Sequence, residues 1–225
     1  MKLGLSTPVV MQLPGVASPW EADGSAADLA LVAAAAAPAF PAEIVLVLSN
    51  RPDAAGLASA AAAGIATACV DHRPFRGDRA AHEQAIAAVL DDAGIELVCL
   101  AGYLRLLTPF LVRRYAGRML NIHPSLLPAF PGLDTHARAL AAGAKLHGCT
   151  VHLVTEGMDE GPILAQAAVP VLPGDTEDTL AARVLVQEHR LYPAALARIA
   201  AGQPGTAPDA TACFCNPLPA APGLT

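Results

Sequence analysis

The sequence is poor in charged and in aromatic side chains: of its 225 residues, 15% are charged and 4% are aromatic. It has no cluster of Lys or Arg beyond the neighbours Arg113 and Arg114, and its formal net charge is −6. Surfaces that bind nucleic acid are normally basic, so this composition argues against a nucleic-acid partner. Any phosphate group on a ligand must therefore be held by a local site.

The sequence also lacks an apolar run long enough to cross a bilayer. The longest candidate, LALVAAAAA, spans residues 29–37 and is closed by Pro38. The apolar start of the chain contains Pro8 and Pro14, where a signal peptide would need a helical stretch. Five cysteines form an odd number without paired spacing, which is typical of free thiols in a reducing compartment. These features predict a cytoplasmic protein with no membrane partner.

Short apolar runs rich in β-branched residues alternate with segments of helical length. The runs are EIVLVLS (43–49), TACV (67–70), LVCLAG (97–102) and MLNIH (119–123). Between the second and third, apolar residues at helical spacing predict a helix that ends at Gly94. After a helix over THARALAAG, the strands TVHLV and ILAQAAVPV are joined by the turn-rich EGMDEGP. The pattern predicts an α/β fold with an open, mostly parallel sheet, helices on both faces and an antiparallel edge hairpin.

The organisation along the chain indicates one domain over residues 1–201, followed by a flexible tail over 202–225 that is rich in Pro, Ala and Gly. Residues 1–23 are atypical within that domain. KLGLST is a candidate first strand, but the following PVVMQLPGVASPWEADG has three prolines and no clear pattern. We expect the last helix to open at Asp175 and to bend or break at Pro193.

Asn121 and His123 end the run MLNIH, directly before Pro124. Alternate residues of a strand share a face, and in open α/β sheets the ligand crevice lies at the carboxyl ends of the strands. The pair is therefore a candidate site, although a histidine that ends a strand more often has a structural role.

The other histidines of the central region do not predict a metal site. His136, His147 and His152 lack the paired spacing of zinc ligands, and no HExxH motif occurs. We expect no metal, and we expect His152 to face the same crevice as the pair.

Three ordered motifs, LNIHPSLLPAFPGLDTH, HGCTVHLVTEGMDEGPILAQAAVPV and QEHRLYP, closely resemble the phosphoribosylglycinamide formyltransferase family over residues 24–200. The resemblance implies a formyltransferase-type fold. It also implies formyl transfer from the co-substrate 10-formyltetrahydrofolate to the amine of glycinamide ribonucleotide in de novo purine biosynthesis, by a monomer or homodimer acting on small-molecule substrates. The catalytic group that it implies is Asn121, His123 and Asp159.

This group suits the chemistry. Attack of an amine on a formyl carbon creates an oxyanion, to which the amide of Asn121 and a protonated His123 can donate hydrogen bonds. A carboxylate at Asp159 would favour the charged imidazole and orient it as a proton carrier. The reaction needs neither a metal nor a covalent enzyme intermediate. Without the family's arrangement, Asp159 would be read as an ordinary turn residue.

The resemblance also assigns binding residues. Those for the folate are Arg79, Leu104, Arg105, Leu106, Leu107, Thr155, Glu156, Gly157 and Met158. Those for the ribonucleotide are Gly24, Ser25 and Glu188, where the glutamate meets the ribose hydroxyls.

The sequence departs from the family at the phosphate-binding turn. The family's pattern SGxGSN leads from the first strand into a helix, and here only Gly24 and Ser25 remain, with Ala26 in the place of Asn. Asp23 would repel a phosphate. Two alternatives to the active transferase stay open: a folate-binding, catalytically impaired homologue with a disrupted phosphate loop, and a formyltetrahydrofolate hydrolase.

Overall fold

The structure, a computed structural model, describes residues 8–12, 26–101, 106–202 and 213–215, with the backbone alone for 8–12, 26–29 and 213–215. A short 3₁₀ helix at Arg73–Phe75 precedes the third α-helix. The strands are β1 (Pro8–Gln12), β2 (Leu46–Ser49), β3 (Ala66–Cys69), β4 (Leu97–Ala101), β5 (Met119–His123), β6 (Leu146–Leu153), β7 (Ile163–Pro170) and β8 (Cys213–Cys215). The α-helices are α1 (Ala26–Ala35), α2 (Ala55–Ala62), α3 (Arg79–Asp92), α4 (Pro109–Arg114), α5 (Thr135–Ala141) and α6 (Glu177–Ala200).

The strands form one eight-stranded sheet with the order β3-β2-β1-β4-β5-β6-β7-β8. Strands β3, β2, β1, β4 and β5 are parallel to one another, β6 is antiparallel to β5 and β7, and β8 is parallel to β7. The predicted mostly parallel α/β sheet with an antiparallel hairpin is confirmed. The hairpin lies one strand in from the predicted edge, because β8 pairs with the outer side of β7.

Two apolar cores, one on each face of the sheet, confirm the predicted helices on both faces. Successive strand residues alternate between the cores: Val47 faces the core formed with α1, α2 and α6, whereas Leu46 and Leu48 face the core formed with α3 and α4. Leu31 of α1 and Leu90 of α3 are fully buried, one in each core. The continuous apolar runs of the sequence follow from this burial on both sides.

The helix ends follow local signals in the sequence. The side chain of Asp78 accepts a hydrogen bond from the backbone N–H of Ala81 and caps α3, and the chain leaves this helix through Gly94 at φ 65°. Thr176 and Thr179 form a capping box at the start of α6. This start is two residues after Asp175, the residue at which the sequence predicts it, and α6 continues through Pro193 without a break. No helix of the described segments is long and apolar enough to cross a membrane.

The first strand differs from the sequence prediction. It is Pro8–Gln12, inside the proline-containing segment in which the sequence shows no clear pattern. The candidate first strand KLGLST lies outside the described residues. Strand β1 occupies the middle of the sheet between β2 and β4. Pro8 is its first residue, a position at which proline removes no hydrogen bond that the ladder requires.

Candidate active site

The side chains of Asn121 and His123 lie on one face of β5, which has the predicted bounds Met119–His123. Asn121 is half-buried and His123 is buried. Their strand neighbours Leu120 and Ile122 point into the core on the side of α6. The apolar face of β5 therefore anchors the strand while the other face presents two polar groups.

The loop that follows β5 is held by Thr150 of β6. The Thr150 hydroxyl accepts a hydrogen bond from the Leu127 N–H at 3.0 Å and donates one to the Ser125 carbonyl at 2.6 Å. The Gln166 amide donates to the Leu127 carbonyl at 2.8 Å. These buried bonds fix the exit of the chain from His123.

Asp159 lies in the connection between β6 and β7, and this connection folds over the face that carries the pair. Its Oδ2 is 3.5 Å from His123 Nδ1, and its Oδ1 is 3.7 Å from His152 Nε2. Oδ2 also accepts a hydrogen bond from the Gly132 N–H at 2.8 Å. The backbone of Asp159 is left-handed, with φ 55°. One carboxylate thus joins the histidine of β5 to the loop after it.

The two ring nitrogens of His123 both face acceptors. Nε2 is 3.1 Å from the Phe130 carbonyl oxygen, to which it can only donate, and Nδ1 faces the Asp159 carboxylate. Only the imidazolium form donates from both nitrogens. Nε2 is thus engaged by the backbone, whereas Nδ1 lies 3.5 Å from the Asp159 carboxylate.

His152 is the residue of β6 that pairs with Asn121 in the sheet. Its Nδ1 is 3.0 Å from the Leu153 carbonyl oxygen and must donate, so its Nε2 accepts from the Asn121 amide nitrogen at 3.2 Å. Burial lowers the pKa of His152, which favours this neutral tautomer. The bond fixes the orientation of the Asn121 amide and leaves its second N–H for a ligand.

A second histidine pair, His136 and His147, lies beside the loop. Their ring nitrogens are 3.1 Å apart, and burial lowers the pKa of each to about 4, so both rings are neutral near pH 7. In the part of the chain that the structure describes, no group of three or more His, Cys, Asp or Glu side chains is arranged to hold a metal ion.

The described folate-assigned residues lie in two neighbouring segments. Arg79 begins α3, and its Nη1 is 3.5 Å from the Leu106 carbonyl oxygen. The side chain of Leu106 is exposed, whereas Leu107 packs against the core of α3 and α4. Leu104 and Arg105 lie outside the described residues.

The second segment is Thr155–Met158, of which Thr155 and Met158 are exposed and Gly157 is half-buried. Glu156 forms an ion pair of 2.7 Å with Arg113 of α4. This ion pair brings the connection between β6 and β7 next to the helix that follows Leu107.

The substrate-assigned residues are less completely described. Gly24 and Ser25 lie outside the described residues, directly before α1 begins at Ala26. Glu188 lies on α6, half-buried, and burial raises its pKa to about 7. It is close enough to the buried thiol of Cys149 to contribute to raising the pKa of that thiol. Among the described residues, no hydrogen bond or ion pair joins Glu188 to the group around His123.

The sequence patterns do not predict Glu83 of α3 or the loop residues that contact the site through their backbone. The Glu83 carboxylate accepts hydrogen bonds from both the N–H and the hydroxyl of Thr108. Glu83 shares a helix face with the buried Ile86, Ala87 and Leu90. A charged residue in an apolar stripe was the signal that could have identified it.

The sequence is similar to known proteins over the region that contains this site. Residues 22–196 match the family model described as formyl transferase, a range that includes every candidate site residue. The chain is 47% identical over 173 residues to the trifunctional purine biosynthetic protein adenosine-3 of Gallus gallus, covering 77% of this chain and 17% of that protein. The chain therefore spans about a sixth of the length of that relative.

Two relatives of similar length show the same likeness. The chain is 47% identical over 157 residues to the phosphoribosylglycinamide formyltransferase of Escherichia coli (strain K12), which covers 70% of this chain and 74% of that protein. The crystal structure of phosphoribosylglycinamide formyltransferase from Brucella melitensis has a TM-score of 0.77 and 57% identity, and it covers 89% of this chain and 99% of that chain. The sequence and the fold are therefore both similar to those of formyl transferases.

Proposed function

Because the chain belongs to the formyl transferase family, we propose that it transfers a formyl group from 10-formyltetrahydrofolate to the amine of glycinamide ribonucleotide in de novo purine biosynthesis. The observation that carries the proposal is the arrangement of Asn121, His123 and Asp159. The carboxylate from the β6–β7 connection lies 3.5 Å from the imidazole that β5 presents beside the amide.

In the proposed reaction, the lone pair of the amine forms a bond to the formyl carbon, and the carbonyl electrons move to the oxygen. Asn121 donates its free N–H to this oxyanion. When the tetrahedral centre collapses, the bond between the formyl carbon and the folate nitrogen breaks. The folate nitrogen takes a proton and the new amide nitrogen loses one. A donor of this kind typically contributes about 10²-fold to 10³-fold in rate.

His123 is assigned the proton transfer, through Nδ1. The Asp159 carboxylate, 3.5 Å from Nδ1, orients the ring. His152 is assigned no proton transfer, because burial lowers its pKa and its nitrogens are engaged with Leu153 and Asn121. It acts by orienting Asn121.

We place the formyl donor between the segments Leu106–Leu107 and Thr155–Met158, with Arg79 at the start of α3. Support comes from the exposed apolar side chains of Leu106 and Met158, which are 55% and 51% exposed. Apolar surfaces bordered by backbone polar groups suit a flat heterocycle such as the pterin.

We place the ribonucleotide at Gly24, Ser25 and Glu188. The start of α1 follows Ser25 directly, and backbone N–H groups at a helix start favour a phosphate. Glu188 would accept from the ribose hydroxyls in its ionised form, and its raised pKa makes that interaction stronger above pH 7.

We propose small molecules as the only substrates, a monomer or homodimer as the active form, and the cytoplasm as the location. The thiols of Cys69 and Cys149 form no disulfide in the structure, which supports a reducing compartment.

The proposal is tested by measuring the consumption of 10-formyltetrahydrofolate with glycinamide ribonucleotide and with water alone as the acceptor. A separate titration measures binding of the folate product, tetrahydrofolate. Turnover that requires the ribonucleotide supports the transferase. Equal turnover without it indicates a hydrolase. Binding of the folate without turnover indicates the impaired homologue.

A further inference from the structure

The helix α3 contacts the segment 106–108 through two side chains that lie one helical turn apart. Arg79 reaches the Leu106 carbonyl oxygen at 3.5 Å, which is at the long limit of a hydrogen bond. Glu83 makes two much shorter bonds, both to Thr108. The carboxylate is therefore the stronger of the two contacts to this segment.

Both oxygens of the Glu83 carboxylate are used. Oε1 accepts from the Thr108 N–H at 2.7 Å, and Oε2 accepts from the Thr108 hydroxyl at 2.5 Å. Glu83 is only 2% exposed. Burial of a carboxylate is unfavourable unless it is hydrogen-bonded, and charge-assisted bonds of this kind are short and directional. The two bonds together fix both the backbone and the side-chain rotamer of Thr108.

Thr108 is the N-cap residue directly before α4, yet its hydroxyl makes no capping bond to that helix. Pro109 follows at the first helical position, where its ring fixes the backbone. The end of the segment is thus determined from outside, by a glutamate on a neighbouring helix. Leu106 and Leu107 directly precede this fixed point.

We propose that Glu83 is a positioning residue of the formyl-donor site: by holding Thr108 with both carboxylate oxygens, it places the Leu106–Leu107 wall against which the folate packs. The inference rests on the proposed function, because it takes Leu106–Leu107 as part of the folate site. Glu83 itself is buried and touches no substrate. Its loss changes the shape of the wall and leaves the group around His123 in place.

The test compares Glu83→Ala and Glu83→Gln in the full chain. The alanine variant removes both acceptors, and we expect the KM for 10-formyltetrahydrofolate to rise about 10-fold or more, since each charge-assisted bond to a buried group is among the strong ones. We expect the KM for glycinamide ribonucleotide and the kcat at saturation to stay within about 3-fold. The glutamine variant can still accept from the Thr108 N–H and donate to its hydroxyl, so it should restore most of the donor affinity.

Two further variants keep the test decisive if Glu83→Ala folds poorly. Thr108→Ala loses only the hydroxyl bond and should raise the donor KM about 3-fold, whereas Thr108→Ser keeps both bonds and should match the wild type. Arg183→Met is the stability control, because it breaks the α6 contacts to Asp175 and the Pro170 carbonyl, away from the segment. It should lower the melting temperature and leave the donor KM unchanged.

Direct titration with tetrahydrofolate separates this inference from the proposed function. A wild type that binds tetrahydrofolate but does not formylate the ribonucleotide would overturn the function, and weaker tetrahydrofolate binding by Glu83→Ala would still support the positioning role. An unchanged donor affinity in both Glu83→Ala and Thr108→Ala would overturn it. So would a general loss of activity in which both KM values rise together.

Discussion

Replacement of Asp159 by asparagine tests the central geometry of the site. The substitution removes the negative charge but keeps a side chain of the same shape, and its oxygen can still accept from the Gly132 N–H. Asparagine also tolerates the left-handed backbone at φ 55°. The fold should therefore survive, and the change should act on the charge next to His123.

The expected magnitude follows from the distance between the charges. Two unit charges about 4 Å apart interact by about 4 kcal/mol at an effective dielectric constant of about 20. The Asp159 carboxylate is 3.5 Å from His123 Nδ1, and its side chain is 13% exposed, so water weakens the interaction only in part. A loss of about 2 to 4 kcal/mol corresponds to a fall in kcat of about 30-fold to 10³-fold.

The assay is the initial rate of 10-formyltetrahydrofolate consumption at saturating glycinamide ribonucleotide, with the melting temperature measured in parallel. Asp134→Asn is the matched control, because Asp134 is exposed, has the same φ of 55° and makes no side-chain cap. It should stay within about 2-fold of the wild type, in line with other surface substitutions. Turnover of Asp159→Asn within about 3-fold of the control would refute the proposed role of the carboxylate.

Three further substitutions test the surroundings of the site. Since the pKa of Glu188 is raised from 4.5 to about 7, the folded state holds the proton more tightly than the unfolded chain, and stability is lost as pH rises through this window. Glu188→Gln should therefore gain stability relative to the wild type between about pH 5 and pH 8, by up to about 3 kcal/mol in urea unfolding, and a gap independent of pH would contradict this. Tyr192→Phe removes the hydroxyl that bridges two strand carbonyls of β4 and β5, and it should cost about 1 to 3 kcal/mol by the same method; no loss would show that the bridge is dispensable. Gly161→Ala would place a methyl group on the Leu153 carbonyl oxygen, so we expect the stability to fall by at least about 2 kcal/mol. Activity should fall as well, because Asp159 is only two residues away. A variant with normal thermal unfolding and normal turnover would argue against this close approach.

The fold follows from the sequence wherever local patterns decide it. Strand β5 has the predicted bounds because its alternating residues and Pro124 mark both its faces and its end. Strands β1 and β8 were not predicted, because each is short and depends on pairing with distant strands. Pairing between distant segments leaves little trace in a five-residue window.

The site could be predicted in part. Asn121 and His123 are candidate site residues because of their position at the carboxyl end of a strand. Asp159 became a candidate only through the family's arrangement, because an aspartate in a turn is ordinary by itself. Glu83 was not predicted, since its partner Thr108 lies 25 positions away in the chain. A buried polar contact of this range is a property of the packed structure.

The left-handed backbone at Asp159 restricts which acid evolution can use there. A glutamate would bring the same charge, but its side chain is one methylene longer, and the left-handed backbone favours the short side chain of aspartate. Aspartate and asparagine are enriched in the left-handed region, and of the two only aspartate is an acid. The backbone conformation at this position thus favours aspartate over glutamate, in addition to the chemistry of the carboxylate.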